Sequence, residues 1–204
     1  LVVPADRCYT PTSPLASGSL FKLDGRISGD GGHTALFYPA AKPMQAPAGY
    51  DLYTEVRKHD VLLAYPYQSI RPFIKMLLRA GADPDVVSIK MTLYRMASDS
   101  QIVNALIAAA ENGKEVVAMV ELRARFDEQN NIDWSKQLED AGCTVFYGFD
   151  DYKVHSKLTL ITSRVNGQYK YLTQIGTGNY NEKKSELYTD LSFITTRQEI
   201  GEEA

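Results

Sequence analysis

The tripeptide His155-Ser156-Lys157 contains side chains that phosphoryl transfer requires. Residues 154–162 are predicted to form a strand, and side chains two positions apart on a strand project to the same face. The imidazole of His155 and the ammonium group of Lys157 are therefore expected to point at one spot, with Thr159 beside them. A neutral imidazole can attack phosphorus, and a fixed cation can neutralise a phosphate oxygen. Taken alone, such a tripeptide more often lies on an exposed strand without a function.

The sequence Gly176-Thr177-Gly178-Asn179 directly follows the next predicted strand, residues 168–175. The glycines let backbone amides approach an anion, Thr177 offers a hydroxyl group, and Asn179 can orient an imidazole or a phosphate oxygen. An Asn-Gly pair, typical of a tight hairpin, connects this strand to the strand of the histidine. The hairpin would bring the two motifs side by side, although the four residues alone could equally form an ordinary turn.

Three arginines follow two other predicted strands: Arg95 comes after residues 87–93, and Arg123 and Arg125 come after residues 116–120. Ligands of α/β sheets gather at the carboxyl ends of parallel strands, and the planar fork of arginine matches phosphate oxygens. The arginines would supply local positive charge for an anionic substrate. Alternatively, each one forms an ion pair with a nearby carboxylate on a solvated surface.

Helix and strand patterns alternate from residue 50 onward, which is typical of an α/β domain. The segment 116–120 is apolar throughout, as expected for a parallel strand buried on both faces. Trp134, Leu138 and Phe146 are predicted to lie in the core, and Cys143 is predicted to be buried. We therefore expect an α/β fold with a mixed β-sheet flanked by helices. The remaining predictions are strands at 61–64 and 144–147, helices at 51–59, 69–80 and 101–112, and a helix through Trp134.

Residues 1–49 differ from the rest of the chain, because they are rich in proline, glycine and serine and contain only short apolar runs. We expect irregular structure here, with at most one hairpin, at the edge of a preceding domain or in a linker. Residues 50–204 are expected to form the catalytic domain. Because the chain begins without methionine and ends just after a strand-like stretch, we expect it to be a piece of a longer protein.

The composition is that of a globular chain: 204 residues, 44% hydrophobic and 23% charged, with a formal net charge of -3. This balance argues against disorder and against general nucleic-acid binding, which relies on a large excess of Lys and Arg. The two cysteines are far apart, so neither a disulfide framework nor a zinc site is expected. No apolar run approaches the roughly 18 residues that span a bilayer, so no integral membrane segment is predicted.

The combination of HxK and GTxN resembles the half-site of the phospholipase D superfamily. The wider sequence, over residues 50–196, closely resembles the first catalytic C-terminal domain of long-chain polyphosphate kinases. Several separate blocks in the same order make this resemblance specific. The blocks are TLYR (92–95), VELRARFDEQNNIDW (120–134), KVHSKL (153–158), IGTGNYNEK (175–183) and LYTD (187–190).

The resemblance implies a catalytic role for His155 as the nucleophile that takes the γ-phosphate of ATP and becomes a phosphohistidine. Lys157 and Asn179 match the positions that neutralise and orient the phosphate in the superfamily. Arg95 and Arg125 match arginines that the family associates with phosphate and magnesium. Because a guanidinium group cannot ligate a cation, we interpret both as phosphate clamps whose bound oxygens hold Mg2+.

Tyr188 matches the tyrosine that lines the nucleotide site of the family, and Gly176, Thr177 and Gly178 are expected to contact the substrate. The implied partners are ATP or ADP, inorganic polyphosphate, the remaining domains of the same enzyme and further copies in a homo-oligomer, with no nucleic acid. The implied cofactor is Mg2+. The implied location is cytoplasmic, with peripheral attachment to the inner membrane left open.

Two other functions remain open at this stage. A phospholipase D-like phosphodiesterase or nuclease could be completed by a homodimer of two half-sites, but that superfamily usually has Asp where this chain has Thr162. The chain could also bind polyphosphate through Arg95, Arg125 and Lys157 without turnover. Because one HxK face supplies a nucleophile but no general acid on the opposite side, we expect the chain to hold half of an active site.

Overall fold

Helices and strands alternate from residue 52 onward, and the strands form one mixed β-sheet in a computed structural model. The structure describes residues 4–10, 18–29, 42–122, 128–149 and 151–204. Residues 42–204 form one compact unit that contains this sheet, and residues 1–41 form another. Within the described residues, no helix is both long and apolar enough to cross a membrane.

Residues 1–41 contain a 3-10 helix at Ala5–Arg7 and the helix α1 at Ser19–Gly29. Helix α1 corrects the prediction of irregular structure for this part of the chain. The prediction gave weight to the glycines and serines and to the neighbouring prolines, whereas Leu20 and Leu23 recur at the spacing of one helical face. One of the short apolar runs, at residues 35–38, lies outside the described residues.

Among the described residues, seven strands form the sheet in the order β1-β7-β6-β5-β2-β3-β4. Strands β2, β3 and β4 are parallel, whereas β5, β6, β7 and β1 continue the sheet with antiparallel pairs. The predicted mixed α/β fold is therefore confirmed. The strands are β1 Val61–Tyr65, β2 Val86–Leu93, β3 Glu115–Val120, β4 Thr144–Tyr147, β5 Lys157–Val165, β6 Gln168–Gly176 and β7 Asp190–Thr195.

The predicted hairpin joins β5 to β6 through Asn166 and Gly167, whose φ angles of 52° and 80° are both left-handed. These angles are those that a two-residue hairpin turn requires, and asparagine and glycine adopt them more readily than other residues. The turn sets the register, so that each residue of β5 has a defined partner on β6.

The helices pack against several strands of the sheet. Helices α3, α4 and α5 pack against β2, β3 and β4, and α7 packs against β6. Helix α4 is capped by Ser100, whose hydroxyl accepts a hydrogen bond from the Val103 amide at 3.3 Å. The helices are α2 Leu52–Glu55, α3 Arg71–Ala82, α4 Gln101–Glu111, α5 Glu128–Asp140, α6 Glu182–Ser185 and α7 Gln198–Glu203.

The core lies between the sheet and these helices. Trp134 and Leu138 of α5 are buried, and so is Cys143, as predicted. The prediction for Phe146 is wrong, because its side chain is 52% exposed. Strand β4 is an edge strand with one neighbour, so an apolar residue on its outer face has nothing to pack against.

Candidate active site

The ends of β2, β3, β5, β6 and β7 that adjoin the candidate residues lie at one edge of the sheet, where β1 and β4 also end. Strands β2 and β3 end there, and because β5 runs antiparallel to β2, its first residue Lys157 lies at the same edge. The last residue of β6, Gly176, pairs directly with Lys157. Strand β7 begins there with Asp190, since it is antiparallel to β6. The topology therefore gathers the HxK and GTGN motifs and the residues after β2 into one region.

His155 precedes β5, which begins at Lys157, so the prediction that the histidine lies on the strand is wrong. Its backbone is nevertheless held on both sides. The Val154 amide donates a hydrogen bond to the buried carboxylate of Glu121 at 3.0 Å. On the other side, the Thr92 hydroxyl donates to the Ser156 carbonyl at 2.8 Å. The exposed imidazole thus projects from a short segment anchored to the ends of two parallel strands.

Lys157 is 5% exposed, and its ammonium group donates a hydrogen bond to the carbonyl of His155. Burial lowers the pKa of Lys157, because the charged form loses solvation, and the nearby carboxylate of Asp190 opposes this change. The ammonium group is thereby fixed beside the histidine, where it can neutralise an anion.

The pKa of His155 is lowered from its ordinary value of 6.5. The largest cause is the positive charge of Lys157, followed by desolvation and by the charge of Lys153. A lowered pKa keeps the imidazole neutral, with a free nitrogen lone pair, at a lower pH than in an ordinary histidine. Neutral imidazole is the form that can act as a nucleophile.

The GTGN loop is tied to the start of β7. The Thr177 hydroxyl donates to the carboxylate of Asp190 at 2.8 Å and accepts from the Leu191 amide at 2.9 Å. A Cβ atom on Gly178 would lie 2.4 Å from Oδ2 of Asp190, so only glycine allows this approach. The side-chain oxygen of Asn179 is buried and accepts no hydrogen bond from the described residues.

Tyr94 and Arg95 follow β2 and face the histidine segment. The rings of Tyr94 and His155 are nearly perpendicular, at 79°, with centroids 5.1 Å apart. The guanidinium carbon of Arg95 lies 5.7 Å from the Tyr94 ring centroid, and Nζ of Lys157 lies 5.2 Å from it. The structure therefore places Arg95, His155 and Lys157 beside the same tyrosine ring. The predicted phosphate clamp Arg125 lies outside the described residues.

Asn131 of helix α5 supports this edge, although it was not among the residues predicted to form the site. Its buried amide donates to the carbonyl oxygens of Tyr94 and Glu121, at 2.7 and 2.9 Å. These residues follow β2 and β3, so one side chain joins the ends of both strands. The indole N–H of Trp134 donates to the Ala97 carbonyl at 2.8 Å. The only sign of this role in the sequence was a pair of asparagines, at residues 130–131, a few residues after the predicted arginine positions.

A buried chain of hydrogen bonds lies beneath the two motifs. The Thr159 hydroxyl donates to the Tyr180 hydroxyl at 2.9 Å, and Tyr180 donates to the side-chain oxygen of Gln174. The amide of Gln174 donates to Ser192 at 2.9 Å. Burial raises the pKa of Tyr180, so the phenol stays protonated. Since Tyr180 directly follows Asn179, this network joins the GTGN loop to the strand of Lys157.

Tyr188 lies in the turn between α6 and β7, two residues before Asp190, and is 60% exposed. It contributes an aromatic surface at the same edge of the sheet without being packed into the core.

In the part of the chain that the structure describes, the side chains of the site do not form a ready set of magnesium ligands. Among the described residues, no three His, Cys, Asp or Glu side chains are grouped as metal ligands. Arg95 and Lys157 are cationic donors without a lone pair for a metal.

Comparison with known proteins first defines the class of fold. A phospholipase D family member, Nuc from Salmonella typhimurium, matches with a TM-score of 0.53 and 18% identity, covering 71% of this chain and 89% of that chain. At this low identity the match shows the fold alone. The domain thus has a phospholipase D-like fold.

The family follows from closer matches. Residues 51–204 match the model of polyphosphate kinase C-terminal domain 1. The polyphosphate kinase of Bacillus anthracis is 42% identical over 100% of this chain and 29% of its own length. The crystal structure of polyphosphate kinase from Porphyromonas gingivalis matches with a TM-score of 0.69 and 34% identity, covering 82% of this chain and 29% of that chain. The chain belongs to the polyphosphate kinase family and spans about 29% of the length of the curated relatives it matches.

Proposed function

We propose that this chain carries the phosphate-accepting half of an ATP:polyphosphate phosphotransferase, with His155 as the nucleophile. The observation that carries the proposal is the position of His155 beside the buried ammonium group of Lys157, at the edge where β5 pairs with the GTGN strand. Membership of the polyphosphate kinase family supports the choice of ATP and inorganic polyphosphate as substrates.

In the first step, a ring nitrogen of neutral His155 attacks the γ-phosphorus of ATP with its lone pair. A nitrogen–phosphorus bond forms, the bond from the γ-phosphorus to the β,γ-bridging oxygen breaks, and ADP leaves with that electron pair. In the second step, a terminal oxygen of polyphosphate attacks the same phosphorus. The nitrogen–phosphorus bond breaks, the electron pair returns to the imidazole, and the polymer is one phosphate longer.

The neighbouring side chains have distinct roles in this proposal. Lys157 and Arg95 neutralise the oxygens of the transferred phosphoryl group, whose charge must be stabilised because most of the catalysis is electrostatic. Asn179 and the backbone of Gly176 and Gly178 orient the phosphate. The exposed ring of Tyr188 packs against the nucleotide base.

Arg125, magnesium and the rest of the protein belong to the same proposal. Arg125 would add a second guanidinium clamp, and magnesium would enter as the counter-ion of ATP and polyphosphate. The leaving ADP needs a general acid from the opposite side, which we assign to the remaining domains of a longer, homo-oligomeric enzyme. This chain covers only 29% of the length of a related polyphosphate kinase, which supports the presence of further domains in the intact enzyme. We further propose that the enzyme works in the cytoplasm.

The experiment is phosphate incorporation from γ-labelled ATP in the full-length protein that carries this chain. Wild type, His155→Ala and His59→Ala are compared. His59 is an exposed histidine paired with Glu55 at 2.9 Å, far along the chain from the site, and serves as a matched control. Label that is labile to acid and stable to base identifies a phosphohistidine.

Label on wild type and His59→Ala, with none on His155→Ala, is the expected result. Label that persists in His155→Ala, or an enzyme that elongates polyphosphate without becoming labelled, would overturn the mechanism. Cleavage of phosphodiester bonds in a nucleic acid or a lipid would instead favour the phospholipase D-like alternative.

A further inference from the structure

We propose that the ring of Tyr94 is a positioning platform, meaning an aromatic surface that holds the His155 imidazole and the Lys157 and Arg95 cations in place before phosphate binds. This inference rests on the proposed function of His155 as the nucleophile and adds a residue to that site. Tyr94 itself does not touch the reacting atoms, so we call it a positioning residue.

Three groups surround the one ring. The imidazole of His155 meets it at 5.1 Å between centroids and nearly at a right angle, an arrangement that aromatic pairs favour. Nζ of Lys157 is 5.2 Å from the same centroid, and Cζ of Arg95 is 5.7 Å from it. Both distances fall within the range of cation–π attraction.

The cation–π attraction offsets the repulsion between the positively charged groups of the site when no substrate is bound. The cationic groups of Lys157 and Arg95 both lie beside the Tyr94 ring, and like charges held close together repel each other. The electron-rich face of a tyrosine ring attracts cations, so it can hold both side chains beside the ring that contacts His155 until phosphate oxygens arrive. The perpendicular contact also restricts rotation of the imidazole, which presents its nucleophilic nitrogen in a defined direction.

The platform is itself fixed in position. The carbonyl of Tyr94 accepts a hydrogen bond from the buried amide of Asn131 at 2.7 Å. The phenol hydroxyl makes no hydrogen bond to any residue in the described part of the chain. The proposed role therefore belongs to the aromatic ring and leaves the hydroxyl group without a part in it.

This distinction gives a sharp test. Tyr94→Phe keeps the ring, whereas Tyr94→Leu and Tyr94→Met keep an apolar side chain and remove the ring. Tyr169→Leu is the matched control, because Tyr169 is an exposed aromatic residue near the far end of the β5–β6 hairpin. The rate of phosphoenzyme formation and the KM for ATP are measured in the full-length protein. In parallel, the imidazole resonances of His155 are recorded by NMR on the 204-residue chain.

We expect Tyr94→Leu and Tyr94→Met to slow phosphoenzyme formation by on the order of tenfold or more, because misplaced reacting groups lose effective concentration. Tyr94→Phe and Tyr169→Leu should stay within about twofold of wild type. The KM for ATP should change much less than the rate. The His155 resonances should shift and average between rotamers in the two variants without a ring, and stay in place in Tyr94→Phe.

Other results separate this inference from the proposed function. Normal labelling in Tyr94→Leu or Tyr94→Met, with none in His155→Ala, would overturn the platform and leave the phosphohistidine standing. Equal losses in Tyr94→Phe would also overturn it, since they would assign the role to the hydroxyl group. If wild type carries no label on His155, the proposed function fails. In that case the NMR data alone test the positioning role of Tyr94. His155 resonances that are unchanged in Tyr94→Leu and Tyr94→Met would overturn it.

Discussion

The side chain of Thr92 forms hydrogen bonds with the backbone of Ser156 and of Leu158, the two residues on either side of Lys157. Its hydroxyl donates to the Ser156 carbonyl at 2.8 Å and accepts from the Leu158 amide at 3.0 Å. Strand β2 therefore places the residue next to His155 at the point where the β5 ladder begins. A threonine in a strand that otherwise packs against helices thus acts as an anchor of the nucleophile.

Replacement of Thr92 by valine tests this anchor. Thr92→Val keeps the shape of the side chain and removes both hydrogen bonds, so we expect a loss of about 1–2 kcal/mol in the free energy of unfolding. Phosphoenzyme formation should fall by on the order of tenfold, because the histidine segment is released. Thr162→Val, which changes a threonine of β5 away from the site, should preserve the rate. Equal rates in both variants would contradict the anchor.

Substitution of Gly178 tests the close approach of the GTGN loop to β7. The Cβ atom in Gly178→Ala would lie within 2.7 Å of three Asp190 atoms, so Asp190 must move and its hydrogen bond to Thr177 must break. We expect a loss of about 1–3 kcal/mol in stability, together with slower labelling of His155. Gly25→Ala in helix α1 has open space around it and should be neutral or stabilising by up to about 1 kcal/mol. Urea unfolding measures both effects.

The titration of His155 tests its electrostatic environment. Its pKa lies below 6.5 mainly because of Lys157, so protonation is unfavourable and the neutral nucleophile persists to lower pH. Lys157→Met should raise the pKa, which moves the appearance of the neutral form to higher pH. Lys153→Met should raise it less, because Lys153 is the weakest of the three causes. NMR titration, with His155→Ala for assignment, measures these values; an unchanged midpoint in Lys157→Met would refute this account.

The amide of Asn131 should be needed for both stability and catalysis. Asn131→Leu leaves the buried carbonyls of Tyr94 and Glu121 without their donor, so we expect a loss of about 2–3 kcal/mol in the free energy of unfolding. Gln137→Leu, an exposed position on the same helix, should cost far less. The comparison is made by urea unfolding, with labelling of His155 as a second measurement. A stability loss no larger than that of Gln137→Leu would argue against the bridging role.

Local patterns determined much of this protein. The alternating apolar residues of β2 have period two, and the Asn166-Gly167 pair accepts left-handed backbone angles, so both elements could be predicted without a partner. The same hairpin register places Lys157 opposite Gly176. The pairing of Lys157 with Gly176 therefore follows from sequence, because the register of one local hairpin produces it.

Only the tertiary structure decided what surrounds the histidine. His155 leaves the strand pattern because Glu121 and Thr92, far away in sequence, capture the backbone on either side of it. Periodicity cannot show such contacts, since they depend on which strands become neighbours in the sheet. For the same reason, the contacts of the Tyr94 ring, the hydrogen bonds of Asn131 and the exposure of Phe146 could not be predicted from the sequence. The sequence determines the chemistry of each residue, whereas tertiary packing determines which residues are its neighbours.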